Sequence, residues 1–165
     1  MNHSRKQLEE MLIEAAKTGA AWDFLANGGI KQPVVLAVKD GRVQVIGSCG
    51  FDEDTKDDYA KVLVQLAKTC SEMCFIVEAW VKTFPSMDKA KTFIGKGARI
   101  SSDPQKLEYV FVHYLSPIKS RTFQAKIVRP ANSPALLEKW QESSMEQISG
   151  RFANIYQKAR QHERN

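Results

Sequence analysis

The sequence predicts an α+β domain in which a mainly antiparallel sheet of about five strands is covered by three helices. Three observations carry that expectation. Two β-rich runs, Val34 to Lys39 and Arg42 to Ser48, flank Asp40-Gly41, a pair that tolerates the positive φ angles of a two-residue hairpin. Leu107 to Leu115 and Arg121 to Val128 are joined only by the short Ser116-Pro117-Ile118-Lys119-Ser120 link, which makes a second antiparallel hairpin. Apolar residues recur at helical spacing near the N-terminus, in the middle and near the C-terminus.

Taken in order, Ser4 followed by Gln7 forms a capping-box pattern, and Leu8, Met11, Leu12 and Ala15 extend a helix to about Lys17. Gly19 is expected to end or kink it. A further helical piece, Ala20 to Ala26, would set Trp22 or Phe24 against the core before Asn27, Gly28 and Gly29 cap it in the left-handed conformation. After the first hairpin, Thr55 with Asp58 gives a second capping signal, and Tyr59, Val62, Leu63, Leu66 and Cys70 mark a helix from Thr55 to Thr69 lying on the sheet. Cys74 to Thr83 alternates, with Phe75, Val77, Ala79 and Val81 on one face and Ile76, Glu78, Trp80 and Lys82 on the other, so a strand well inside the sheet is expected. Phe84 to Pro104 shows no clear period and reads as a long loop, the kind that in compact folds is mobile or functional. Ser133 and Pro134 then suit an N-cap and first turn. Leu136, Leu137, Trp140, Met145, Ile148, Phe152 and Ile155 follow as a long C-terminal helix bent near Gly150. Trp22, Trp80 and Trp140 all fall in apolar patterns and are expected in the core.

At 165 residues the chain can bury one core without disulfides or metals, so a single domain over 1–165 is expected. The composition, 43% hydrophobic and 26% charged, is that of an ordinary globular protein and excludes the disordered and membrane-embedded classes. No run approaches the roughly 20 apolar residues of a membrane span, and charges interrupt the N-terminus, so a cytoplasmic protein with no membrane partner is expected. Cys49, Cys70 and Cys74 include no CxxC pair, and His3, His113 and His162 lie far apart. Free thiols are expected, with no structural metal and no cofactor.

Charge is uneven. Residues 1–81 carry nine Lys/Arg against twelve Asp/Glu, whereas residues 82–165 carry fifteen against seven. A basic half attracts anionic partners at long range, either nucleic acid or an acidic protein.

The strand carrying Glu78-Ala79-Trp80, followed by Ser102-Asp103-Pro104 leading into Leu107 to Tyr114, resembles a loosely defined group of small uncharacterised bacterial and phage proteins. The shared pattern spans the chain from the Asp40-Gly41 hairpin to the second hairpin. It implies a fold and a bacterial or phage setting, and no chemistry.

The foremost candidate site is the basic stretch with Lys82, Lys89, Lys91, Lys96 and Arg99 against Asp88 alone. Gly95-Lys96-Gly97 would let backbone amides approach a phosphate, and Phe93 would stack on a base. It is not a Walker A loop, because Ala90 replaces the first glycine and Gly97 follows the lysine where Ser or Thr belongs. Arg151, Lys158, Arg160 and Arg164, with Tyr156 interleaved, would add to the same face or merely complement a helix C-terminus. The acidic cluster Asp52, Glu53, Asp54, Asp57 and Asp58 suits a helix N-terminus better than a calcium loop, since Lys56 interrupts the ligand pattern.

Two enzyme readings can be built. Cys49 would be a nucleophile with His113 as base and Glu78 as orienter, or His113 and Glu78 would form an acid/base pair. Against them, His113 shares strand parity with Leu107, Tyr109, Phe111 and Leu115 and so suits a core-edge position. Glu78 in an apolar strand needs a partner such as Arg121 or Lys126. The leading expectation is therefore a non-catalytic binding or regulatory protein engaging an acidic partner through the basic loop. A hydrolase is the alternative. A third is a homodimer formed through an open sheet edge or the C-terminal helix.

Overall fold

A computed structural model describes residues 4–30, 34–47, 55–143 and 153–162. The capping box forms as expected: Ser4 Oγ accepts the Gln7 amide at 3.3 Å and Gln7 Oε1 accepts the Ser4 amide at 2.8 Å. Helix α1 runs Arg5–Asn27 without a break at Gly19, and Gly28 caps it at φ 68°. One glycine among Ala15, Ala16, Ala20 and Ala21 costs only about 1 kcal/mol of helix propensity, which packing on the sheet offsets. The first hairpin is strands β1 (Val34–Lys39) and β2 (Arg42–Gly47), with Asp40 and Gly41 at φ 50° and 71°. Helix α2 follows at Lys56–Ala67, though Thr55 makes no side-chain cap bond.

Strand β3 (Glu72–Val81) lies inside the sheet, flanked by β1 and by β4 (Leu107–Leu115), which pairs onward with β5 (Ser120–Val128). Between β3 and β4 the expected loop holds helix α3 (Met87–Gly95) and a 3₁₀ turn, Ile100–Ser102. The long C-terminal helix does not form. Residues Leu136–Leu137 (β6) and Gln141–Glu142 (β7) pair with the outer edge of β5, and helix α4 spans only Ile155–His162. Pairing with an otherwise open strand edge, together with the packing of Ala135, Leu137 and Trp140 against the α1 core, overrides helical spacing there. Met145, Ile148 and Phe152 lie outside the described residues.

The result is α+β with four helices among the described residues and a seven-stranded antiparallel sheet ordered β2-β1-β3-β4-β5-β6, with β7 also on β5. The sheet buries both faces. On one, Leu12, Ile13, Ala16, Ala20 and Phe24 of α1 cover Leu36, Val38, Cys74, Ile76, Val110, Val112, Tyr114, Phe123 and Ile127. On the other, α2 and α4 place Leu63, Val64, Ile155 and Ala159 over Val35, Ala37, Met73, Phe75 and Val77. Period-two alternation thus serves two cores at once. Trp22, expected in the core, is 69% exposed on the outer side of α1, because Phe24 takes the inward position.

Candidate functional site

The acidic first half and the basic second half meet across the fold. Arg121 of β5 donates to Glu9 at 2.8 Å, to Glu10 at 2.8 Å and to both oxygens of Glu142 at 2.7 and 2.9 Å, and Lys119 donates to Glu9 at 2.7 Å. Burial alone would raise the Glu9 carboxyl, but hydrogen bonds from Lys119 and Arg121 outweigh it and hold it below the usual carboxylate range. At the other end of α1, Glu78 accepts the Ile30 amide at 3.0 Å and stands 3.7 Å from Arg129, which also donates to Glu108 at 2.5 Å. The partner of Glu78 is therefore Arg129 and a backbone amide, not Arg121 or Lys126. Of the fifteen lysines and arginines in the second half, Lys119, Arg121 and Arg129 are engaged in these pairs.

The basic stretch divides by the same test. Lys82 pairs with Asp103, and its ammonium lies 5.6 Å from the Phe84 ring centroid and 5.2 Å from that of Phe93. The bond from Lys82, then one from the Gln105 amide, keeps the Asp103 carboxyl below its ordinary pKa. Phe84 and Phe93 pack at 5.2 Å between centroids. Lys106 donates to the Ser101 carbonyl at 2.5 Å and stands 5.2 Å from the ring centroid of Trp80, itself 39% exposed rather than in the core. Lys82 and Phe93 thus anchor α3 to the end of β3, so Phe93 is half-buried and occupied.

Lys89, Lys91, Lys96 and Arg99 differ. All four are exposed, and none makes an ion pair with a described residue. Ser86 Oγ caps the helix by accepting the Lys89 amide at 3.4 Å, yet no residue of α3 is buried, and Met87 and Ile94 are each 71% exposed. The expected phosphate cradle of backbone amides is used internally: Lys96 N–H donates to Thr92 and Gly97 N–H to Ile94, with Gly97 at φ 70°. Those amides close a helix C-terminus, where the dipole is negative. The cations that this helix offers are side chains. Sequence reading found the cations but missed the helix, whose readable signal was the Ser86 cap.

The His113–Glu78 acid/base pair is not assembled. His113 faces Phe75 across β3 and β4, whereas Glu78 faces Val110, which places the two side chains on opposite sheet faces. His113 is buried, shares a hydrogen bond between its Nδ1 and Thr122 Oγ1 at 3.0 Å, and lies between Phe75 at 4.8 Å and Phe111 at 5.8 Å. Burial pushes its pKa down to about 4, so the ring is neutral. Cys49 lies outside the described residues, as do Asp52, Glu53, Asp54, Arg151 and Arg164. Asp57 and Asp58 occupy the first turn of α2 as carboxylates at a helix N-terminus should. Tyr156 is buried and donates to the Cys70 carbonyl at 3.2 Å, so it is not an exposed aromatic between the cations of that segment. Cys70 and Cys74 are buried free thiols.

Among the described residues there is no group of side chains able to hold a metal ion, and no helix long and apolar enough to cross a membrane. No protein-family model matches the chain, and neither a curated protein nor a solved structure is detectably similar to it.

Proposed function

We propose that this is a small non-catalytic binding or regulatory protein that engages an acidic partner, nucleic acid or an acidic protein surface, through Lys89, Lys91, Lys96 and Arg99 on and beside α3. The observation that carries the reading is a cluster: Lys89, Lys91, Lys96 and Arg99 all stand exposed within eleven residues with no acidic partner among the described residues, whereas Lys82, Lys119, Arg121 and Arg129 are paired with Asp103, Glu9, Glu10, Glu142, Glu78 and Glu108. A helix with no fully buried residue and such a set of exposed cations gains little for folding from its charges, so their use lies with a partner. Lys82 and Phe93 then serve as the foundation that fixes the helix, rather than as contacts.

The test is binding of fluorescent single- and double-stranded DNA and RNA, and of a polyglutamate peptide, by wild type and by a variant with Lys89, Lys91, Lys96 and Arg99 all changed to Ala. All four positions are exposed, and Ala favours the helix at Lys89 and Lys91, so the variant should fold, which circular dichroism checks. Binding that the variant loses is the expected result. Equal binding by the variant, or no binding of any probe by the wild type at low salt, overturns the proposal.

A further inference from the structure

The two sides of the sheet end differently. Beyond β5 the outer edge is covered by β6 and β7, but among the described residues β2 has no strand on its far side and is exposed along nearly its whole length. Edge strands usually carry Lys, Pro or a bulge that discourages pairing. Strand β2, Arg42-Val43-Gln44-Val45-Ile46-Gly47, has none of these, and its single charge sits at the turn.

The geometry of the open edge follows from the turn. Positive φ at both Asp40 and Gly41 makes a two-residue hairpin, with Lys39 and Arg42 as its hydrogen-bonded closing pair. Bonded and non-bonded pairs alternate from there, so Arg42, Gln44 and Ile46 turn their backbone groups to β1. Val43, Val45 and Gly47 turn theirs outward. The same three residues lie on the α1 face of the sheet, since Val43 pairs with Val38 and Val45 with Leu36. Helix α1 does not reach over them: Val43 is 48% and Val45 70% exposed. Beside them an open groove of about 550 Å³ runs between α1 and the hairpin, walled by Ala15, Gly19 and Ala20 and floored by Leu36 and Val45.

From this juxtaposition we propose that β2 pairs with β2 of a second copy of this chain, antiparallel about a two-fold axis at Val45, to give one continuous sheet across a homodimer. An antiparallel edge is complementary to its own two-fold image. Centring on Val45 matches Val45 with its mate and Val43 with Gly47, so every outward amide and carbonyl of the three finds a partner. The valines of both copies then meet on one face and extend the apolar floor of the groove. Charge permits it, because nothing between Val43 and Gly47 is charged and the two Arg42 side chains fall at opposite ends of the pairing. This surface is separate from α3, so either proposal can fail without the other.

Sedimentation velocity from about 1 to 200 μM, a range that detects micromolar dissociation constants, tests it on the full chain. The wild type is compared with Val45→Lys and with Val62→Lys, the latter at a 46% exposed position on α2. Both side chains are exposed, so both variants fold, and circular dichroism checks this. Expected are a dimer for wild type and Val62→Lys, surviving in 1 M salt, and a dissociation constant raised at least about tenfold for Val45→Lys. A wild type that stays monomeric throughout, a Val45→Lys protein that dimerises as well as wild type, or equal loss in both variants overturns the proposal.

Discussion

Replacing Arg121 with Met tests whether the acids of the first half and the bases of the second are coupled as the structure has them. Arg121 is 19% exposed at its side chain and Glu9 only 9%, whereas Glu10 and Glu142 are 49% and 47% exposed. Met keeps much of the apolar stem that packs near the Phe123 ring, whose centroid is 4.9 Å from the guanidinium carbon. What is lost is the charge. The half-exposed partners contribute at most about 1 kcal/mol each, and removing one side of a buried pair costs about 3–5 kcal/mol. Lys119 remains on Glu9 at 2.7 Å, so the net cost should be about 2–3 kcal/mol, a fall of about 5–10 °C in melting temperature. Urea unfolding followed by circular dichroism at pH 7 measures it. Because the folded-state pKa of Glu9 is held down, this contribution is present above the ordinary carboxylate pKa of about 4.3 and is lost as pH falls through the folded value. The deficit of the variant should therefore shrink in acid. Equal stability of the two proteins at pH 7, or an undiminished deficit well below pH 4, would refute the charge account; the second result would assign the effect to lost packing.

Three further expectations follow from named contacts. Glu78→Ala removes the acceptor for the Ile30 amide and one partner of Arg129, and should cost about 1–3 kcal/mol in chemical denaturation. Gly29→Ala puts a Cβ 3.2 Å from the same carboxylate, so it should destabilise wild type more than it destabilises Glu78→Ala, as a double-mutant cycle would read. His113, neutral with a folded pKa of about 4 against about 6.5 unfolded, takes up protons mainly on unfolding. Stability should fall by up to about 3 kcal/mol between pH 6.5 and 4 and then level off, and His113→Gln should abolish that component of the profile.

The parts of the fold that were legible in the sequence are those settled by neighbours in the chain. Ser4 and Gln7 cap each other, Asp40-Gly41 closes its own hairpin, and the alternation around Phe75 and Val77 records a strand buried on both sides. Leu136 to Trp140 kept a helical period but went to the sheet because β5 needed an edge partner, which only the assembled fold presents. Helix α3 escaped notice for the opposite reason: it buries no residue, so its apolar side chains never formed a core stripe. The excess of positive charge was visible as composition. Which cations lack an acidic partner among the described residues was not, since Arg121 finds Glu9 at a separation of 112 residues and Arg129 finds Glu78 only across the sheet.

The most direct measurement is the salt dependence of nucleic-acid binding by wild type and the fourfold α3 alanine variant. If all four cations contact phosphates, log K should fall against log salt with a slope of about −3.6 on duplex and about −2.8 on single strands, a loss of roughly 50- to 150-fold between 50 and 200 mM. The account predicts those slopes for wild type and a slope near zero, with little residual affinity, for the variant. A variant that keeps the wild-type slope would contradict it, because the phosphate contacts would then lie somewhere other than α3.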